Sequence, residues 1–406
     1  MRMLAFICLA TVAVAAAPAP APSKSPGTEG APAFSRYSPA AVAMAGGGGF
    51  FLAGNAFAAP DRNSCWVWKV GGDGEKIWEK SIPAADQDEI VSILPEDDGG
   101  LVVLGVSFVH EPEVGYRSWL RTFSKDGNPG EKRLIDGYGR AGVFLNAGAG
   151  AYLLACTAER EKTRYKRDYD ARLLQCNLNG KVQWEKFYDK GTHESVAAGV
   201  PLGDGSFVFL ATKKLPGGAS DIWLFACTAQ GVLTGEKLLA GGRLAASEGS
   251  FLARGKDGVA IVYSLAALPP AGEELDLAPA APAGVHAVSF KPSLEIAKEV
   301  ELTGYPSVTP PVIAATPDGG YVLAGTSAEG LRIEKLDAAW QSLWEKSMKS
   351  DAEGIITFTV RQLLASGDTA YLLGNVASPV GGNFSKNVFL AKIDLRKPGF
   401  VWFKAY

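Results

Sequence analysis

Asp318-Gly319-Gly320-Tyr321-Val322-Leu323-Ala324-Gly325-Thr326, followed by Leu331-Arg332-Ile333-Glu334-Lys335-Leu336-Asp337 and then by Trp344-Glu345-Lys346, decides the fold. The stretch reads as a glycine turn, an apolar run, a second run, a polar turn and a closing Trp-Glu-Lys. That closing phrase recurs unchanged as Trp78-Glu79-Lys80 and Trp184-Glu185-Lys186. Weaker copies are Gly130-Glu131-Lys132, Gly235-Glu236-Lys237, Ile296-Ala297-Lys298 and Trp402-Phe403-Lys404. The lysines follow one another at roughly 50 residues, a period typical of propellers, solenoids and arrays.

Each unit carries the rest of the pattern. Glycine turns such as Asp98-Gly99-Gly100 and Asp204-Gly205 precede apolar runs such as Leu101 to Gly105 and Phe207 to Ala211. Second runs follow, for example Trp119 to Phe123 and Trp223 to Cys227, and a further short strand precedes each glycine turn. That makes four short strands per unit, A to D, joined by turns suited to antiparallel hairpins. No stretch has helical periodicity with caps at both ends. Seven such units predict an all-β fold, a seven-bladed β-propeller of four-stranded antiparallel blades. The B and C runs are apolar almost throughout because stacking buries both of their faces. The D strands belong at the rim, where Glu and Lys discourage edge pairing. Blade 1 begins with its own strand A near Pro39 to Ala45, and blade 7 ends with its own strand D, Val401 to Tyr406. Closure is therefore expected from side-chain packing, with Phe34 to Tyr37 in support. Blade 5 diverges most, through the proline-rich loop Leu265 to Gly284.

The repeat resembles a bacterial extracytoplasmic β-propeller family with units of the form Asp-Gly-Gly-Tyr-Val-Leu-Ala-Gly, Leu-Asp-x-x-Gly and Trp-Glu-Lys. The Gly74 to Trp78 and Gly180 to Trp184 spacing is similar to the tryptophan-docking element of quinoprotein-like propellers. The resemblance implies a structural place between blades for Trp78, Trp184, Trp344 and Trp402.

The 406 residues are 47% hydrophobic and 20% charged, with a net charge of −3. This suits a folded chain and gives no electrostatic reason for nucleic acid as a partner. Residues 1–17 read as a signal peptide, with Arg2 before the apolar run Leu4 to Val14. Cleavage is favoured before Ala17, because a cut before Pro18 is disfavoured. Residues 18–35 have Pro/Ala-rich linker composition, and residues 36–406 form the propeller. No transmembrane segment is expected in the mature protein, which is placed in the periplasm or outside the cell.

Removing Cys8 leaves Cys65, Cys156, Cys176 and Cys227. Cys176 and Cys227 hold equivalent strand-C positions and Cys156 a strand-B position, so these three read as buried apolar residues rather than disulfides. A vicinal cysteine pair of the kind found in some quinone-binding propellers is absent. His110, His193 and His286 show no metal-ligand spacing. No metal site, cofactor or catalytic constellation is expected.

Acidic residues recur just before strand A: Asp88, Glu89, Glu194, Glu248, Asp351 and Glu353. They are the candidate binding residues at the channel mouth, where they could hold a cation or act as an acid/base pair. The charge-dense loop Glu159 to Asp170 is a candidate contact surface. The favoured function is a non-enzymatic exported binding or scaffold module of the cell envelope or exterior, whose partner is a protein or polysaccharide. The alternatives are a carbohydrate-active or quinone-dependent enzyme at the channel mouth, and a purely structural envelope component.

Overall fold

The computed structural model describes residues 36–406 apart from 58–62, 84–87, 111–114, 138, 149, 163–166, 215–218, 246–250, 267–281, 306–309, 328, 350–356 and 381–382. Its described residues form seven four-stranded antiparallel sheets and no helix. Each sheet takes four consecutive strands, so the chain is a seven-bladed propeller. Blade 1 contains β1 (Arg36–Ala45), β2 (Gly49–Phe57), β3 (Asn63–Val70) and β4 (Lys76–Pro83). Its first strand starts earlier than the expected Pro39.

Alternation along strand B explains the stacking. In blade 2, Leu101 and Val103 pack toward blade 1, while Val102, Leu104 and Val106 pack toward blade 3. Successive strand residues point to opposite faces, so a strand buried on both faces reads as one apolar run. Seven apolar clusters result, one at each junction between neighbouring blades.

The turns are fixed by short side chains. Asp98 and Asp204 accept from the backbone N–H two residues on, at 2.8 and 2.9 Å. Asp337 opens the C–D turn of blade 6 and accepts from the N–H groups of Ala339 and Gln341, both at 2.8 Å. Asn177, Ser124 and Thr228 do the same in their blades. These side chains hydrogen-bond their own backbone and so favour turns over continued strand.

The junctions are sealed in three ways. Trp78 of blade 1 lies over the C–D turn of blade 2, where a Cβ on Gly127 would meet the indole at 2.9 Å. Its Nε1 donates to the Lys125 carbonyl at 3.1 Å. Trp184 meets Gly231 of blade 4 in the same way, and Trp344 donates to the Leu395 carbonyl of blade 7 at 3.2 Å. Trp402 meets Gly74 of blade 1.

At two junctions the large side chain comes from the turn instead. Gly235 of blade 4 faces Leu294 of blade 5, and Lys298 of blade 5 donates to the Ala339 carbonyl beside Trp340 of blade 6. Leu294 and Trp340 both have φ of 61°, a conformation that favours glycine. Trp340 stacks on Tyr321 with centroids 4.3 Å apart. At the seventh junction, between blades 2 and 3, backbone seals the gap: a Cβ on Gly180 would lie 2.2 Å from the Leu134 carbonyl oxygen.

Two repeat alignments need correction. In blade 2 strand D shrinks to Arg133–Leu134, so Gly130-Glu131-Lys132 lies outside any strand. In blade 5 Lys298 pairs with Ser289 as Trp78 pairs with Lys69, so Lys298, not Ile296, holds the tryptophan position.

Among the described residues, ring closure uses no exchanged strand. Blades 7 and 1 share an apolar cluster that includes Val42, Trp66, Trp68, Leu373 and Leu390. Polar ties cross the same seam. Val42 N–H donates to Gln362 Oε1, and Asn375 Nδ2 donates to the Tyr37 carbonyl, both at 2.8 Å. Tyr406 O–H donates to the Gly74 carbonyl at 2.6 Å. Phe34 lies outside the described residues.

Candidate functional site

Antiparallel order places the B–C hairpins and D–A connections on one face. The acids expected before strand A belong there. Asp88 and Glu194 are in fact the first residues of their strands, Asp88–Pro95 and Glu194–Pro201, and Glu89 follows Asp88. Glu248, Asp351 and Glu353 lie outside the described residues.

The three described acids have separate environments. Asp88 is buried and accepts two hydrogen bonds from Lys132 Nζ, at 2.7 and 2.8 Å, and one from Ser107 Oγ. Lys132 reaches it because strand D of blade 2 is so short. Its ammonium group lies 5.0 Å from the Trp119 ring centroid, a cation–π contact. A buried, paired carboxylate of this kind is a structural cross-tie between the inner and outer parts of one blade. Glu89 pairs with Arg140 of blade 3 at 3.1 Å, with both side chains exposed, and such pairs contribute little to stability.

Glu194 differs. It is 1% exposed, and its Oε1 accepts from the Thr192 N–H and hydroxyl at 3.3 and 3.1 Å. Its Oε2 has no hydrogen-bond partner among the described residues. Carboxylate oxygens of Asp170, Asp189 and Glu194 lie within 4.8 Å of one another. Asp170 comes from strand C of blade 3, Asp189 from the connection leading into blade 4, and both also engage other groups. Burial pushes the Glu194 carboxyl above its ordinary range. The Thr192 hydrogen bonds oppose the shift and the Asp170 charge adds to it. Three oxygens at this spacing could bind a cation, or keep one shared proton as paired carboxylates do. Nothing in the sequence spacing joins Asp170 and Asp189 to Glu194. The blade register brings them together.

The expected loop Glu159 to Asp170 is mostly strand. Strands B and C of blade 3 pair out to Lys162 opposite Arg167, whereas strand A stops at Arg140 opposite Thr157. The hairpin therefore projects beyond the four-stranded blade. In blade 7 strands B and C pair out to Val380 opposite Asn383. Blade 5 pairs out to Ala266 opposite Pro282, and most of its proline-rich loop lies outside the described residues.

Cys65, Cys156, Cys176 and Cys227 are buried free thiols, and burial pushes each up to about 12. Such thiols are unreactive at neutral pH. His286 stacks on Tyr263, and His193 meets Tyr169 edge-on.

No family model matches the sequence, and no curated protein matches it. Solved structures do match in fold. The chain is similar to the WD40 domain of Neurospora crassa Pan2, at 12% identity and a TM-score of 0.51, over 86% of this chain and 88% of that one. It is similar to puromycin hydrolase at 16% identity and a TM-score of 0.52, over 90% of this chain and 54% of that one. A Ser-to-Ala mutant of puromycin hydrolase complexed with PGG gives 16% identity and a TM-score of 0.54. The chain thus spans about half the length of puromycin hydrolase. At these identities the likeness is one of fold. No helix among the described residues is long and apolar enough to cross a membrane.

Proposed function

We propose that this propeller is a non-enzymatic binding or scaffold module, exported to the cell envelope or exterior, that holds a protein or polysaccharide on its B–C face. The supporting observation is the projecting hairpin of blade 3, whose pairing continues past the end of strand A. Its sequence Arg160-Glu161-Lys162-Thr163-Arg164-Tyr165-Lys166-Arg167 is dense in charge and carries a tyrosine, a composition suited to polar recognition. Replacing residues 160–168 leaves the residues of the apolar clusters on both sides of blade 3 unchanged. Export rests on the apolar run and small residues of the first 17 positions. The test replaces residues 160–168 with an Asn-Gly turn and compares pulldown from envelope extract with the full chain. The expected result is loss of a reproducible partner with an unchanged melting temperature. Equal capture by both proteins would refute the assignment to this face.

One observation favours a second reading, an enzyme acting on carbohydrate at the channel mouth: the raised, buried Glu194 carboxyl beside Asp170 and Asp189. A carboxyl raised by burial and set beside further acids is the setting in which a general acid works. Glycan hydrolysis by the full chain that disappears in Glu194→Gln would support that reading, and hydrolysis unaffected by the substitution would end it. The same variant has a thermodynamic signature. A folded-state value raised above the unfolded one favours folding at low pH, and this contribution is lost as pH rises through the raised value. Glu194→Gln should therefore melt above the parent at pH 8 and gain nothing at pH 4.

A further inference from the structure

The opposite face carries the A–B and C–D turns. Between blades 4 and 5 it opens into a cavity of about 530 Å³, whose lining includes Ser206, Ala226, Thr228, Thr234, Gly235 and Pro292. This cavity stands where four other junctions hold an indole. Gly235 pairs with Ala226 in the register that joins Trp78 to Lys69. Pro292 holds the turn position of Lys125 in blade 2 and Leu395 in blade 7, as the turn hydrogen bonds show. The carbonyls of Lys125 and Leu395 take the indole N–H of Trp78 and Trp344. Blade 5 thus keeps the turn that receives the ring, and blade 4 lacks the ring. Leu294 fills part of the space and the cavity is what remains. A Cβ at Gly235 would meet nothing closer than Leu294 Cδ1 at 3.9 Å.

We propose that this cavity docks a tryptophan side chain of a partner polypeptide, seated as Trp78 is seated on blade 2. The choice of occupant follows from the molecule's own slots. In each of the four filled ones the ring arrives on an extended strand at the rim, and Ile77, Leu343 and Val401, just before the ring, are exposed. In blade 4 the residues just before Gly235 include Val232 and Leu233, 52% and 42% exposed, an apolar ledge for an arriving chain. Asp204 is the charged residue of the lining, so basic flanks on the partner are favoured over acidic ones. A buried indole with a carbonyl acceptor is a typical binding anchor.

The test is calorimetric titration of the full chain with the capped peptide Lys-Trp-Lys, with Lys-Leu-Lys and free indole as controls. The variants are Gly235→Trp, which supplies the ring from blade 4 itself, and Gly235→Trp with Leu294→Gly, which recreates the Trp78–Gly127 pair. The expected result is saturable binding of the tryptophan peptide, about tenfold tighter than the leucine peptide, and abolished in whichever variant folds. No saturable binding, equal binding of both peptides, or binding that survives the substitutions would overturn the proposal. So would tighter binding of free indole than of the peptide. Self-association of the parent that the variants abolish would assign the cavity to a second copy of the chain and overturn it as well.

Discussion

The junction between blades 1 and 2 and the junction between blades 4 and 5 solve one packing problem from opposite sides. At the first, Trp78 reaches from strand D over Gly127, whose φ of +81° and missing Cβ leave room for the ring. At the second, strand D offers Gly235, and Leu294 supplies the bulk from the turn while holding φ at 61°. The space between blades is therefore what the fold specifies, and the residue that fills it can come from either chain segment. Volume matters more than position, as close packing requires. The second solution is the less complete, because a leucine replaces an indole and a cavity remains.

This contrast can be broken experimentally, and the largest effect belongs to the tight side. Gly127→Val places a β-branched residue in a left-handed conformation with its Cβ 2.9 Å from the indole. It should cost about 4 kcal/mol or prevent folding, read as a denaturation midpoint; a change of less than about 1 kcal/mol would mean the turn can move away. Trp78→Ala removes the ring and leaves the glycine, for an expected loss of about 3 kcal/mol. Leu294→Gly loses a side chain only 3% exposed but relieves an unfavourable φ. Its net loss should be nearer 1.5 kcal/mol, smaller than for Trp78→Ala, because relief of about 1 kcal/mol offsets the cavity. Gly235→Ala is the mildest. Its Cβ meets only Leu294 Cδ1, at an ordinary contact distance of 3.9 Å, on a strand, so stability should rise by about 0.5 kcal/mol; a measurable loss would show that the cavity is less accommodating than its geometry.

The same two junctions mark how far the sequence could be read. The apolar B and C runs follow from strands buried on both faces, and they gave the blades their number and order. The Trp-Glu-Lys phrase worked where the tryptophan was present. It failed at Ile296-Ala297-Lys298 because Lys298 itself takes the tryptophan position there, so no aromatic residue marks the register and the lysine was matched to the wrong place in the phrase. Leu294 and Trp340 were invisible as sealing residues, since a side chain in a glycine conformation is the exception to the rule by which turns are recognised. The acids show a similar limit. Asp88 and Glu89 are adjacent in sequence, but Asp88 is tied to Lys132 and Glu89 to Arg140, and neither pairing has a local signature. Glu194 was recognisable as an acid at a strand start, whereas Asp170 and Asp189 join it only through the packing of blade 3 on blade 4.

The direct test of equivalence between the two solutions is the melting temperature of the double variant Gly235→Trp with Leu294→Gly, measured beside both single variants. It moves the bulk from the turn of blade 5 to the strand of blade 4. If the junction specifies a filled volume, the double variant should melt at or above the parent, with a favourable coupling of at least about 1 kcal/mol between the two sites. A double variant that loses the sum of the two single effects would contradict the account, because the two positions would then be independent rather than alternative sources of one packed side chain.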